Sequence, residues 1–261
     1  MADLFRGTTA LITGASRGIG AAFADRLAAR GAHLVLVARQ REPLAAVASR
    51  AEQLGVQATV VPADLADRDA PGRLVTELGT RGIVVDHLIN NAGVGVHGRF
   101  ADGPIDRNLS TIDVNVRAVT ELAGLLLPGM IQRRRGGILT VASTAAFQGL
   151  AWLPVYSATK AYVLTWSEAV WVSLRGTGVR CCCLSPGPVD TGFFDANDLT
   201  ARPPRWFMQG AGTVARIGLR AYERDDCHVI SFPPFRLAAW STRLVPRAFS
   251  ARMGAWYARR R

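Results

Sequence analysis

The sequence predicts an α/β fold in which one domain carries a doubly wound parallel sheet of about seven strands, with helices on both faces. Short apolar runs alternate with longer segments whose apolar residues recur at helical spacing, which is typical of strand–helix–strand units. The chain has 261 residues, and 49% of them are hydrophobic, enough for one large core. No internal repeat or linker is evident, so the prediction is a single domain over residues 1–261.

The predicted strands are short and rich in aliphatic residues, as the strands of a buried parallel sheet usually are. They cover 8–13, 33–38, 56–61, 84–89, 137–142, 179–184 and 228–232. The predicted helices lie between them, and several end at or just before a glycine. They cover 21–31, 42–54, 67–80, 104–135, 154–176 and 213–224. Ligands bind at the carboxyl edge of such sheets, so the residues that follow each strand are candidates for a site.

The first predicted strand is followed at once by a turn that contains Gly14, Gly18 and Gly20, and then by a helix. Glycines let the backbone approach a phosphate, and the helix N-terminus presents free N–H groups. The spacing is G-x-x-x-G-x-G rather than the usual G-x-G-x-x-G, and spacing alone is a weak signal. Its place between a strand and a helix strengthens it, and the turn predicts a Rossmann-type dinucleotide site.

The second predicted strand ends at Ala38-Arg39, without a carboxylate that could hold the ribose 2′-hydroxyl of NAD. Arg39, and Arg17 inside the glycine turn, are placed to pair with a 2′-phosphate. The sequence therefore favours NADP(H) over NAD(H). The alternative is that both arginines simply face solvent.

A third stretch, residues 140–160, carries Ser143, Tyr156 and Lys160. The last two are four residues apart, so a helix would place them on one face. A lysine cation one turn away should lower the tyrosine pKa and make it an acid or base near neutrality. The alternative is an ordinary exposed helix face. Lys160 is the only lysine in the chain, and arginine is not an equivalent proton donor, which favours the chemical interpretation.

The cysteines and the distribution of charge argue against two other classes of function, metal binding and nucleic-acid binding. Cys181, Cys182 and Cys183 are consecutive in a predicted strand, so they cannot converge on one metal; we expect small core residues and no metal site. Residues 201–261 contain 12 arginines and 3 acidic residues, so the basic character is concentrated near the C-terminus. A nucleic-acid surface would more often follow a groove with aromatic residues, and we expect no nucleic-acid partner.

Taken together, these motifs resemble the short-chain dehydrogenase/reductase family over about residues 8–195. They occur in the family's order: TGASRGIG, Asp64, NNAG, Asn115, Ser143, YSATK and PGPVDT. The resemblance implies that Tyr156 is the general acid, Ser143 orients the substrate oxygen, and Lys160 lowers the tyrosine pKa. It also implies that Asn115 positions a water that links Lys160 to solvent.

The resemblance likewise implies the cofactor contacts. Asp64 would bond the adenine, Asn91 to Gly93 would line the adenosine ribose, and Val189 and Thr191 would hold the nicotinamide amide. The full predicted set is Gly14, Ser16, Arg17, Gly18, Ile19, Gly20, Arg39, Asp64, Leu65, Asn91, Ala92, Gly93, Tyr156, Lys160, Pro186, Gly187, Val189 and Thr191.

Two further segments suggest how substrate is handled. The aromatic stretch 192–212, with Phe193, Phe194, Trp206, Phe207 and Met208, is a candidate lid over a small lipophilic carbonyl or alcohol substrate. The alternative is an ordinary pair of surface helices. The basic extension 233–261 mixes arginines with Trp240, Leu244, Phe249, Met253 and Trp256, loosely like the tails of fatty-acyl and steroid ketoreductases. It could rest on an anionic membrane or pack on a second subunit.

The chain shows no signal-peptide pattern, and its longest apolar run, 122–131, is half the length of a membrane span. We therefore expect a cytoplasmic protein, with contact at the inner face of the membrane as an alternative. The resemblance implies a homodimer or homotetramer. The competing hypothesis is an NADPH-binding sensor or membrane-surface scaffold without turnover.

Overall fold

The computed structural model describes residues 3–197, 203–242 and 244–252. Its central feature is one parallel sheet with the strand order β3-β2-β1-β4-β5-β6-β9. These strands are β1 Thr9–Thr13, β2 His33–Ala38, β3 Ala58–Pro62, β4 His87–Asn90, β5 Gly137–Val141, β6 Arg180–Ser185 and β9 His228–Ile230. β7 Val189–Asp190 and β8 Gln209–Gly210 form a separate small pair. The predicted fold class, a doubly wound parallel sheet of seven strands, is confirmed.

Helices cover both faces of the sheet. They are α1 Gly18–Ala28, α2 Arg41–Glu52, α3 Ala70–Thr80, α4 Ile105–Ile112, α5 Ala118–Gln132, α6 Pro154–Ser173, α7 Phe193–Ala196, α8 Ala211–Glu223 and α9 Pro233–Ser241. One core packs α1, α2 and α8 against the sheet, and a second packs α3, α5 and α6 against the opposite face. The three consecutive cysteines of β6 are all buried and free, as predicted for small core residues.

The chain reverses its direction of winding between β1 and β4, which lie side by side in register from Ala10 with His87. Such a switch point opens a crevice at the carboxyl ends of the two strands. The glycine turn follows β1, and the NNAG stretch begins at Asn90, the last residue of β4. The fold therefore brings these two predicted motifs to the same point of the sheet edge.

Some element boundaries differ from the predictions for identifiable reasons. The fourth strand begins at His87 rather than at 84, because Val84 is half exposed and lies outside the sheet. The last strand ends at Ile230, before the turn into α9. The helix predicted over 104–135 is interrupted by a π-helical turn, Asp113–Arg117, between α4 and α5. Pro62 is tolerated at the end of β3 because β3 is an edge strand.

The helical run Ile105–Gln132 is long and apolar enough to pass a length-and-hydropathy test for a membrane span. Leu122 and Ala123 of this run are packed in the core of the domain. The core helix of a soluble protein passes the same test, so this run is only weak evidence for a membrane span.

The two segments singled out near the C-terminus are only partly described. In the predicted lid, α7 and a 3-10 turn at Arg205–Phe207 are present, and residues 211 and 212 already belong to α8. Residues 198–202 of that segment lie outside the described residues. The predicted extension begins with α9, whereas Met253 and Trp256 lie outside the described residues.

Candidate active site

Ser143 and Tyr156 meet at the carboxyl end of β5. The strand ends at Val141, and Ser143 caps a short 3-10 turn by accepting a hydrogen bond from the Ala145 N–H at 3.1 Å. Pro154 begins α6, which places Tyr156 in the first turn of that helix. The Ser143 side chain lies near enough to the Tyr156 hydroxyl to act on its pKa. Two residues that are 13 positions apart in sequence thus form one polar pair.

Lys160 lies one helical turn after Tyr156, as the spacing predicts, and its side chain is buried. Its ammonium group donates a hydrogen bond to the Val141 carbonyl oxygen at 2.7 Å. The same nitrogen lies 5.8 Å from the centroid of the Tyr156 ring. A methyl group added at Gly93 would lie 3.3 Å from the Lys160 nitrogen and 3.5 Å from the Asn115 side-chain oxygen, so both atoms border this glycine.

The pKa values of the pair differ from the sequence-based expectation. Burial raises the pKa of Tyr156 to about 12, although part of the residue is exposed, and the nearby Ser143 side chain acts in the opposite direction. Burial lowers the pKa of Lys160 to about 8. The predicted lowering of the tyrosine pKa by Lys160 is not seen, because desolvation outweighs the other influences on the phenol. The phenol is protonated at neutral pH in this arrangement.

Asn115 is fully buried in the π-helical turn. Its side-chain oxygen accepts a hydrogen bond from the Val94 N–H at 3.0 Å, and its amide group donates to the Val94 carbonyl at 2.9 Å and to the Thr159 hydroxyl at 3.0 Å. These contacts tie the loop after β4 to α6 beside Lys160. A single π turn inside a helix often marks a functional position, and here it turns Asn115 toward the loop.

The glycine turn, residues 14–20, forms a backbone cradle at the N-terminus of α1. Gly14 and Gly18 have φ values of +64° and +58°, which side-chain-bearing residues rarely adopt. A methyl group at Gly20 would lie 2.1 Å from the Gly14 carbonyl oxygen, so only glycine allows this approach. The Asn91 amide donates to the Thr13 and Gly14 carbonyl oxygens at 2.9 and 3.2 Å, which fixes the turn against the NNAG loop.

The predicted cofactor-selecting residues lie around this cradle. Arg17 and Arg39 are exposed, and a methyl group at Gly192 would lie 3.4 Å from the Arg17 guanidinium. Asp64 is exposed and accepts a hydrogen bond from the Ala66 N–H at 3.0 Å, whereas Leu65 is buried. Ser16 and Ile19 are partly exposed in the turn itself.

The PGPVDT stretch closes the other side of the crevice. The Pro186 carbonyl accepts a hydrogen bond from the Thr144 N–H at 2.9 Å, next to Ser143. The Thr191 methyl group lies against Gly18, where an added Cβ would approach it to 3.0 Å. Val189 is buried in β7. Gly187 packs against Phe232, whose ring contacts those of Phe207 and Phe235.

Sequence reasoning missed several residues that shape the site. Thr13 accepts hydrogen bonds from the Asn91 and Ala92 N–H groups, both at 3.0 Å, and Thr159 holds Asn115. A threonine at a strand end is the one available signal for the first. Gly95 lies against the Tyr156 ring, and Asn197 contacts Gly95; no local pattern indicated either one.

The residues present fit a dinucleotide. The N-terminus of the eleven-residue helix α1 provides free backbone N–H groups for a pyrophosphate. The positive-φ glycines and the close approach of Gly20 to Gly14 let the backbone come near the phosphates. Arg17 lies in the turn and Arg39 follows β2, the strand next to β1, and both arginines are exposed. Among the described residues, no group of three or more His, Cys, Asp or Glu side chains is arranged to hold a metal ion.

Comparison with known proteins supports this interpretation. The family model for short chain dehydrogenase matches residues 8–201. Ketoacyl reductase HetN of Nostoc sp. is 34% identical over 224 residues, covering 86% of this chain and 78% of that protein.

Two solved structures are also similar. The structure of a short-chain dehydrogenase from Sphingobium yanoikuyae in complex with NADPH has a TM-score of 0.81 at 30% identity, covering 91% and 92% of the two chains. A short-chain dehydrogenase/reductase from Burkholderia phymatum in complex with NAD has a TM-score of 0.82 at 27% identity, covering 90% and 92%.

Proposed function

The chain belongs to the short-chain dehydrogenase/reductase family, and from that membership we propose that it uses NADPH to interconvert a lipophilic carbonyl compound and its secondary alcohol. Membership makes it an NAD(P)-dependent oxidoreductase. The observation that carries the finer proposal is the convergence of Ser143, Tyr156, Lys160 and Asn115 beside the glycine cradle.

When bound, the nicotinamide supplies the hydride. The Ser143 hydroxyl orients the substrate oxygen, and the Tyr156 phenol donates its proton to that oxygen as negative charge develops there. The phenol is protonated at neutral pH, because its pKa is about 12, and this is the state that carbonyl reduction needs. The ammonium of Lys160, with a pKa of about 8, can resupply the proton of the phenol and take up its own from solvent through a water positioned by Asn115. The protein's part is thus orientation and proton supply.

The lipophilic substrate class is supported by the aromatic surface beside the site. Phe193 lies 5.7 Å from the Tyr156 ring, and the Phe207, Phe232 and Phe235 rings cluster next to Gly187. Such a surface favours apolar substrates, because their burial releases water from apolar area. The predicted lid, residues 192–212, supplies two of these phenylalanines.

The experiment that tests the proposal is NADPH oxidation, followed by absorbance, with a panel of keto-lipids, steroids and small aldehydes. We expect substrate-dependent oxidation that is fastest with the lipophilic ketones. NADPH binding, measured by fluorescence titration, without turnover of any panel member would instead favour the alternative, an NADPH sensor or scaffold. Failure to bind NADPH would contradict both.

The preference for NADP(H) over NAD(H) is supported by Arg17 and Arg39 beside the cradle and by the absence of a carboxylate at the end of β2. The bound cofactors of similar structures differ, NADPH in one and NAD in another. Arg39→Asp should weaken NADPH binding by roughly tenfold or more and NADH binding much less, since the carboxylate repels a 2′-phosphate. Equal effects on the two cofactors would remove this part of the proposal.

A homodimer or homotetramer is supported by an apolar stripe on α4, where Ile105, Leu109 and Ile112 are 58%, 49% and 42% exposed. Tyr162 of α6 is exposed beside it and shares a hydrogen bond with Thr120. Association of these helices would bury the stripe. Leu109→Glu should shift the mass measured by light scattering toward the monomer; an unchanged mass would exclude this face.

Cytoplasmic location with peripheral membrane contact is supported by the charge of residues 201–261 and by exposed apolar side chains in that part. Leu237, Leu244 and Phe249 are 72%, 67% and 54% exposed. We expect cosedimentation with vesicles containing phosphatidylglycerol but not with pure phosphatidylcholine, and its loss in Leu237→Ser/Phe249→Ser. Leu54→Ser, at a 54% exposed site in the N-terminal half, is the matched control. Equal loss of vesicle binding in the double variant and in Leu54→Ser would contradict the proposal.

No nucleic-acid partner is proposed.

A further inference from the structure

Asn197 is a buried asparagine that joins two segments far apart in the chain. It follows α7 and is only 4% exposed. Its side-chain oxygen accepts a hydrogen bond from the Gly95 N–H at 2.7 Å, and its amide group donates to the Phe193 carbonyl at 2.7 Å. An N–H group requires an acceptor and a carbonyl requires a donor, so these two partners fix the orientation of the amide.

Both partners of Asn197 contact the Tyr156 ring. A methyl group at Gly95 would lie 3.1 Å from Tyr156 Cδ2, so the Gly95 backbone packs directly against the ring. The Phe193 ring lies 5.7 Å from the Tyr156 ring at an interplanar angle of 49°. One side chain therefore holds two of the surfaces that limit where the phenol can lie.

The residue before Gly95 is held in a similar way from the other direction. Asn115 makes two hydrogen bonds to the Val94 backbone, at 2.9 and 3.0 Å. Consecutive residues of the loop after β4 are thus fixed by two buried asparagines, one in the π-helical turn and one after α7. Only the first belongs to the motif set found in the sequence.

We propose that Asn197 is a positioning residue for Tyr156, holding Gly95 and Phe193 against its ring so that the hydroxyl stays in line with Ser143. The inference rests on the proposed function of Tyr156 as the proton donor. A proton donor displaced by about 1 Å can lose on the order of 100-fold in rate, and sites demand a placement within about 0.5 Å. The role requires an acceptor and a donor on one short side chain, which asparagine provides.

The test compares three variants under saturating NADPH. Asn197→Ala removes both hydrogen bonds and should lower kcat by roughly 10- to 100-fold while changing the NADPH Kd by less than about twofold. Asn197→Asp keeps an acceptor for Gly95 but offers no donor to Phe193. Its kcat should fall between that of the wild-type chain and that of Asn197→Ala. Asn108→Ala is the matched control, since Asn108 is also buried and, among the described residues, its amide donates only to the Pro104 carbonyl of its own helix start.

A second measurement does not depend on turnover. The chain has four tyrosines, so 3-fluorotyrosine labelling gives few ¹⁹F resonances, and the one lost in Tyr156→Phe identifies Tyr156. Asn197→Ala and Asn197→Asp should shift or broaden that resonance, and Asn108→Ala should leave it in place. A wild-type kcat together with an unmoved Tyr156 resonance in both Asn197 variants would overturn the proposal. A moved resonance in a protein that turns over no substrate would support the positioning role and refute the proposed function.

Discussion

A tyrosine beside a basic side chain occurs at both edges of the sheet. At the carboxyl edge it is Tyr156 with Lys160, and at the amino edge it is Tyr222 with His87, whose ring nitrogen Nδ1 lies 2.7 Å from the Tyr222 hydroxyl. Tyr222 and His87 are both fully buried. Burial raises the pKa of both tyrosines, that of Tyr222 well above its usual range. The residue types alone therefore do not distinguish the two edges.

Their surroundings distinguish them. The Tyr222 and His87 ring centroids lie 6.1 and 5.0 Å from that of Phe5, and the three rings form a buried aromatic group at the amino edge of the sheet. Tyr156 is partly exposed and lies beside Ser143, and the glycine cradle begins at the same sheet edge. A shifted tyrosine pKa marks a reactive site only where a ligand can reach the hydroxyl. Exposure of the tyrosine, rather than the presence of a basic neighbour, separates the proposed catalytic edge from the buried amino edge.

The largest expected difference between the edges is in catalysis. Tyr156→Phe removes the proposed proton donor and should lower kcat by roughly 10²- to 10⁴-fold, with little change in NADPH affinity. Tyr222→Phe should keep wild-type kcat, while leaving His87 Nδ1 without its partner and lowering stability by about 1–3 kcal/mol. Steady-state kinetics and urea unfolding of the two variants measure both effects. Comparable kcat values in the two variants would break the distinction.

The second difference is in the pH dependence of stability. Burial lowers the pKa of His87 to about 4 in the folded chain, against about 6.5 when unfolded. Between these values the unfolded chain binds a proton that the folded chain does not, so stability falls as the pH drops from 6.5 to 4. The stability that is present above pH 6.5 and lost by pH 4 is about 3 kcal/mol.

His87→Gln should remove that part of the acid sensitivity, which urea unfolding at pH 7 and at pH 4.5 would show. The carboxylates contribute equally to both proteins, so the relevant quantity is the difference between their pH slopes. Identical slopes for His87→Gln and the wild-type chain would show that the amino-edge pair is not a titrating element of the fold.

The same contrast explains what could be predicted from the sequence. Periodicity and the glycine turn predicted the seven strands and the cradle, because those signals are local. The π turn around Asn115 was missed because its register depends on the Val94 backbone, 21 residues away. Asn197 was missed because its partner is the N–H of Gly95, 102 residues away. Nearly every residue type carries a backbone N–H, so the sequence does not show which one a side chain will bond. The Tyr156 pKa was predicted in the wrong direction because spacing reveals neighbours but not desolvation.

The smallest expected effect is on NADPH binding, and it is seen by comparing a glycine variant at each edge of the sheet. A methyl group at Gly20 would lie 2.1 Å from the Gly14 carbonyl oxygen, and one at Gly136 would lie 2.0 Å from the Asp86 carbonyl oxygen. Gly20→Ala should cost about 1–3 kcal/mol because backbone must move apart, and Gly136→Ala should cost at least as much because Gly136 also has a φ of +105°. Only Gly20→Ala distorts the cradle, so it alone should weaken NADPH binding, by roughly tenfold or about 1.4 kcal/mol. Fluorescence titration at a temperature where both variants are folded separates the two effects. If Gly136→Ala weakened NADPH binding as much, the loss would come from general destabilisation. The result would then give no reason to assign cofactor binding to the cradle at the carboxyl edge.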